Sequence, residues 1–164
     1  MRQVETMDVV CGFLPVDMQT AGNTGDTVCM KNWQHCTIIF TKAIGTAGDD
    51  PTVTVMQCTD VASGTNKALN FVELFTKQGT QTTTGTWTRV TQTAANTYTN
   101  ATLAESPAII RIEFDADDLD VTNGYDCIYA TVADVGGNPQ LGCLHYYLSQ
   151  PRYGQATTPS AIVD

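Results

Sequence analysis

Five acids crowd one short segment, Glu113, Asp115, Asp117, Asp118 and Asp120. Carboxylate oxygens gathered in this way are what a hard cation such as calcium requires. The spacing does not fit an EF-hand loop, because counted from Asp118 the glycine falls one place late, at Gly124. A solvated turn between two strands explains these acids more simply. Asp115, Asp117, Asp118 and Asp120 therefore stand as weak metal candidates, and no metal is assigned. Paired carboxylates could hydrolyse a glycoside, yet nothing in the pattern sets two of them across a cleft. The four serines, Ser63, Ser106, Ser149 and Ser160, lie outside any GxSxG elbow, and His35 and His145 sit in or beside strand-like runs as half-buried filler. Glycine patterns of phosphate-binding loops are missing. The expectation is a non-enzyme with no catalytic residues and no cofactor.

Six cysteines, Cys11, Cys29, Cys36, Cys58, Cys127 and Cys143, form no CxxC pair. Small buried thiols are the better reading than a disulfide framework, and zinc fares worse because only His35 beside Cys36 brings the two ligand types close in sequence. The net charge is −9, with eight Lys and Arg against 17 acids. That balance argues against direct nucleic-acid binding, which needs clustered cations. Apolar runs are far shorter than the ~20 residues of a membrane span. The first residues carry Glu5 and Asp8 and no long apolar core, so the expectation is folding in a cytoplasm without a secretory signal.

The elements that must position these groups are strands. The chain holds 27 threonines, and β-branched residues favour a pleated surface. Val9–Pro15 reads as an edge strand closed by proline. Cys36–Ile44, Thr52–Asp60, Lys67–Thr76 and Thr86–Thr91 follow, separated by turns rich in Gly, Asp and Asn. The clearest alternation begins after Pro107, with Ile110, Ile112 and Phe114 on one side and Arg111, Glu113 and Asp115 on the other, one face core and one wet. Tyr125–Asp134 and Leu141–Ser149 read as a hairpin across Val135–Gln140. On its second strand Leu144, Tyr146 and Leu148 share one face and Cys143, His145 and Tyr147 the other, a semi-apolar set that a second sheet or a neighbouring subunit would cover. The pattern as a whole specifies an all-β chain, one domain over residues 1–164. It is a β-sandwich of jelly-roll or Greek-key type with about eight strands and extended N- and C-terminal arms, residues 1–18 and 154–164.

Two blocks, GFLPVDMQTAGNTGDTVCMKNWQHCTIIFTKAIGTAGDDPTVTVMQCTDV and DLDVTNGYDCIYATVADVGGNPQLGCLHYYLSQPRYGQ, resemble small virion proteins encoded with the structural genes of tailed double-stranded DNA bacteriophages. Together they cover roughly half of the chain. The resemblance implies a structural protein that decorates or cements the outside of a capsid. It further implies the major capsid protein as partner, self-association as a homotrimer, and a place in the virion after assembly in the bacterial host cytoplasm. Neither nucleic acid nor membrane is an expected partner. Interface candidates are Cys143, His145 and Tyr147, the exit residues Arg152 and Tyr153, and the apolar tip Ile162 and Val163. Two other readings compete: a tail-tube, head-tail joining or baseplate component, and a carbohydrate-binding β-sandwich using Trp33, Trp87 and Tyr98 as a sugar platform.

Overall fold

A computed structural model describes residues 3–153 and 158–163. In chain order the strands are β1 (Met7–Asp17), β2 (Asn23–Thr24), β3 (Val28–Cys29) and β4 (Trp33–Lys42). Then come β5 (Val53–Cys58), β6 (Asn66–Ala68), β7 (Phe71–Gln78) and β8 (Thr88–Ala95). The last four are β9 (Thr97–Tyr98), β10 (Ala108–Asp115), β11 (Cys127–Val132) and β12 (Leu141–Pro151). Four of these segments are two or three residues long, too short for an alternation pattern to reveal, which is why about eight were expected.

Two antiparallel sheets result. The front sheet runs β1-β12-β4-β10-β7-β8, and the back sheet runs β2-β11-β5-β6 with β3 also on β11 and β9 also on β5. The pairings nest: β1 with β12, β2 and β3 with β11, β4 with β10, and β5 with β9. A long antiparallel ribbon rolled over on itself makes this pattern, which is a jelly roll. β6, β7 and β8 are inserted in the connection from β5 to β9, and β7 and β8 widen the front sheet beyond β10. No helix among the described residues is long and apolar enough to cross a membrane.

The expected hairpin at the end of the chain is corrected. β11 belongs to the back sheet and β12 to the front one, so residues 133–140 cross between sheets. The reason lies in the inward sets of the two strands: Ile128, Ala130 and Val132 face Leu144, Tyr146 and Leu148 across the core, all of them buried. Sheets packed face to face stand about 10 Å apart, and the eight-residue connection spans that gap. Its glycines reverse the chain without pairing its ends. Gly136 has φ +108°, a conformation that penalises a β-carbon. The loop is tied down by Asn138 Nδ2 donating to Asp49 Oδ2 at 2.8 Å and by Val135 N donating to the Met18 carbonyl at 3.2 Å.

The N-terminal arm expected over Met1–Met18 is also corrected. Met7–Asp17 is a strand of the front sheet, paired along β12, and Met18 is fully buried. The mixed composition that suggested an arm belongs to an edge strand with register shifts between Cys11 and Phe13 and between Phe13 and Val16, where Gly12 and Pro15 sit. Met1 and Arg2 lie outside the described residues, as do Gly154–Thr157 and Asp164 of the expected C-terminal tail. The described part of that tail returns to the body: the Ala161 carbonyl accepts from Cys29 N at 2.6 Å and Ala161 is buried.

Tyr146 ties the two sheets together. Rising from β12 of the front sheet, it is fully buried, and its hydroxyl accepts the backbone N–H of Ala130 in β11 at 2.9 Å. Gly25 makes room for it, since a β-carbon there would stand 2.6 Å from the Tyr146 hydroxyl. Burial pushes the phenol's pKa above its ordinary range.

Lys42, at the end of β4, is 3% exposed. Its Nζ donates to the carbonyls of Leu103 at 2.5 Å and Ser106 at 2.7 Å, pinning the loop before β10 against the front sheet. Burial lowers its pKa to about 8, against the opposing pull of Asp50 and Glu105. Folding therefore favours the neutral amine. Between about 8 and the ordinary 10.5 the unfolded chain holds more protons on this group, so its contribution to stability rises with pH through that window. Lys42→Met is expected to cost about 1–3 kcal/mol at neutral pH, because two carbonyls lose their donor. Denaturant titrations should show the gap to the parent protein widening from about pH 8 to 10.5; a gap that narrows contradicts this account.

Candidate functional site

Alternation along the front sheet leaves a second set of side chains on its outer side. Across all six strands the register aligns Cys11, His145, Ile39, Arg111, Phe75 and Arg89 as successive cross-strand neighbours. One flanking row is Val9, Tyr147, Thr37 and Glu113, and the other is Cys143, Thr41, Ile109 and Lys77. Directly opposed side chains of this kind touch, and their contacts are what hold an exposed face in order. All of these residues except Val9 and Arg89 are half-buried.

Trp87, on the approach to β8, lies over this face. Lys77 Nζ sits 4.4 Å from its ring centre and Arg111 Cζ 6.0 Å, so two cations hold the indole. Thr37, Ile39, Trp87, Ile109, Arg111 and Tyr147 line a shallow open depression of about 370 Å³. Arg111 Nη2 donates to Glu113 Oε1, and Glu113 also faces His35 Nε2 at 3.6 Å. His35 Nδ1 in turn lies 2.8 Å from Asp115 Oδ1, and Arg89 pairs with Glu73. Lys77, Arg89 and Arg111, three of the eight Lys and Arg in a chain of net charge −9, thus gather here around an apolar shelf. The carboxylates of Glu73, Glu113 and Asp115 are paired with Arg89, Arg111 and His35.

The structure divides the interface candidates among three places. Cys143, His145 and Tyr147 do share the outer face. Arg152 and Tyr153 lie past the end of β12, where Arg152 N donates to the Asn32 carbonyl at 2.9 Å. Ile162 and Val163 are exposed, next to the buried Ala161 whose carbonyl meets Cys29 of β3 on the back sheet. Ile39, Ile109, Arg111 and Phe75 were not among the interface candidates, and Trp87 was named only for the sugar platform. The signal was available in the alternation after Pro107, where the side taken as wet carries Ile109 and an arginine that lies beneath a tryptophan.

The acids divide between two places, with Asp120 turned away from Asp115, Asp117 and Asp118. Asp115 pairs with His35, and its backbone N–H donates to Asp118 Oδ2 at 2.8 Å in the short turn Ala116–Asp118. Asp120 turns to Lys67 Nζ at 2.6 Å and to Asn123, and the lysine's hydrogen bond is the main cause of its lowered pKa. Asp115, Asp117 and Asp118 border an open cleft of about 300 Å³ together with Arg152. The sugar platform is corrected: Trp33 is fully buried and Tyr98 is 7% exposed, both packed in the core, so only Trp87 of the three reaches the surface.

All six cysteines are thiols. Cys11 and Cys143 are half-buried on the outer face of the front sheet, and Cys36 is buried in the core, its pKa pushed up to about 12 by burial. Cys29, Cys58 and Cys127 form a separate buried cluster on the back sheet. The hydrogen bond from Cys127 lowers the Cys29 pKa, while Cys127 itself is raised by both neighbouring thiols.

No protein-family model and no curated protein matches the chain. Among solved structures, a chain of the cowpea mosaic virus top component, the naturally occurring empty particles, aligns over 94% of this chain and 91% of its own. The identity is 7% and the TM-score 0.30. A turnip yellow mosaic virus chain aligns over 93% of this chain and 97% of its own, at 8% identity and a TM-score of 0.17. At such scores neither overlay carries an argument. The jelly roll is accordingly read from the strand order of this chain.

Proposed function

We propose that this chain is a non-enzymatic structural protein of a virus particle, one that docks on the outside of a capsid lattice and stabilises it. The observation that carries the reading is the outer face of the front sheet: a cross-strand ladder over six strands whose side chains are half-buried on five of them, with an apolar shelf at Ile39, Ile109, Trp87 and Tyr147. Surfaces where aromatic residues and arginine cluster are those that dominate binding between proteins. The two sequence blocks that resemble phage virion proteins include β4 and β12, adjacent strands of this face, and that coincidence supports the same reading. A net charge of −9 suits a protein that stays soluble until it docks. Repetition over a lattice multiplies weak single contacts. The partner in this reading is the major capsid protein, and a homotrimer is the arrangement expected from the resemblance. The chain's copy number in purified particles tests it: hundreds of copies support decoration, tens or fewer point to a tail or connector, and absence from the particle sinks the reading.

A further inference from the structure

Cys29, Cys58 and Cys127 are far apart in sequence, yet they meet on the back sheet. β11 lies between β3 and β5, and Cys127 is the direct cross-strand partner of both Cys29 and Cys58. Their chain neighbours Val28 and Ile128 point into the core, so the three thiols point outward. Outward residues of a sheet are normally wet, but these are between 0% and 3% exposed. Val61 and Tyr129 pack over them, and a hydrogen bond of 2.7 Å between the hydroxyls of Thr27 and Ser63 fastens the covering loop. Beside them stands Asp126, whose Oδ1 accepts from Cys127 Sγ at 3.3 Å. The ligand atoms of Cys29, Asp126 and Cys127 all lie within 4.8 Å of one another.

We propose that Cys29, Cys127 and Asp126 form a site for a borderline-soft divalent cation of the zinc class, with Cys58 as the adjacent further thiol. Zinc takes thiolate at about 2.3 Å and carboxylate at about 2.0–2.2 Å, so ligands spaced as these are close on it with small side-chain rotations. Binding displaces the two thiol protons to solvent. A depression of about 160 Å³ lined by Met30, Lys31, Leu119 and Asp126 leads to the carboxylate edge of the cluster, and Lys31 Nζ lies 3.5 Å from Asp126 Oδ2. Such an ion would fasten β3 to β11 at the point where the Ala161 segment attaches.

The test uses the purified, fully reduced chain, titrated with cadmium as the optical probe and zinc as competitor. One equivalent of cadmium should give a sulfur-to-metal charge-transfer band that zinc removes, and either ion should raise the melting temperature. Cys29→Ser and Cys127→Ser should lose the band, and Asp126→Asn, which keeps the packing volume, should bind at least ~10-fold more weakly. Cys143→Ser, on the opposite sheet, should behave as the parent. No band in the parent overturns the proposal. So does a band that survives in Cys29→Ser or Cys127→Ser, or one that Cys143→Ser removes.

Discussion

Tyr146→Ala is expected to be the most damaging single substitution in the chain. Replacing a fully buried aromatic side chain by alanine costs about 3–5 kcal/mol through lost transfer energy and the cavity left behind. The site has little scope to collapse, because Leu144, Leu148 and the back-sheet residues around it are held by their own ladders. The variant also strands the Ala130 N–H, which the Tyr146 hydroxyl accepts across the sandwich. A domain of ordinary stability holds about 5–15 kcal/mol in total, so the variant should be largely unfolded or much reduced in melting temperature. Tyr146→Phe separates the two contributions. It keeps the packing and loses the acceptor, and should cost about 1–3 kcal/mol. Equal stability of Tyr146→Phe and the parent in denaturant titration would contradict the inter-sheet tie.

The double variant Trp87→Ala, Tyr147→Ala is expected to fold and to fail at docking. Trp87 is 36% exposed and Tyr147 is half-buried, so neither removal opens a core cavity, and the pair should cost the isolated domain little. Aromatic anchors at the centre of an interface cost about 2 kcal/mol or more when truncated, which is a loss of at least ~30-fold in affinity. Co-sedimentation with particles stripped of the chain should show the parent rebinding and the double variant left in the supernatant at the same concentration. Full rebinding of a folded double variant would mean that another surface docks, and the back sheet with its exposed Ile162 and Val163 would then be the place to look.

Much of the fold could be read from the residues because the long strands announce themselves. The alternation of Ile110, Ile112 and Phe114, and of Leu144, Tyr146 and Leu148, marks the core faces of β10 and β12. Strand partners were less accessible. Gly136, Gly137, Asn138 and Pro139 signal a reversal of direction, but the same residues serve a tight hairpin and a passage between sheets, and only the inward sets of both strands distinguish the two. An edge strand was legible at Val9–Pro15, but its full extent, Met7–Asp17, and its place in the body of the front sheet were concealed for a related reason, since Gly12 and Pro15 interrupt its alternation where the register shifts. Of the candidate site, Cys143, His145 and Tyr147 were visible as a semi-apolar second face. Their neighbours Ile39, Ile109 and Trp87 come from other strands, and cross-strand register is not written in any one segment. The cysteine cluster was hidden for the same reason, because its members lie on three strands and follow no local ligand spacing.

The proposed place of the chain in the outer shell of a virus particle is tested by its copy number relative to the major capsid protein. Quantitative mass spectrometry on purified particles should find it in hundreds of copies, in simple proportion to the shell subunits. Its absence from the particle, or its presence in only tens of copies or fewer, would contradict the account.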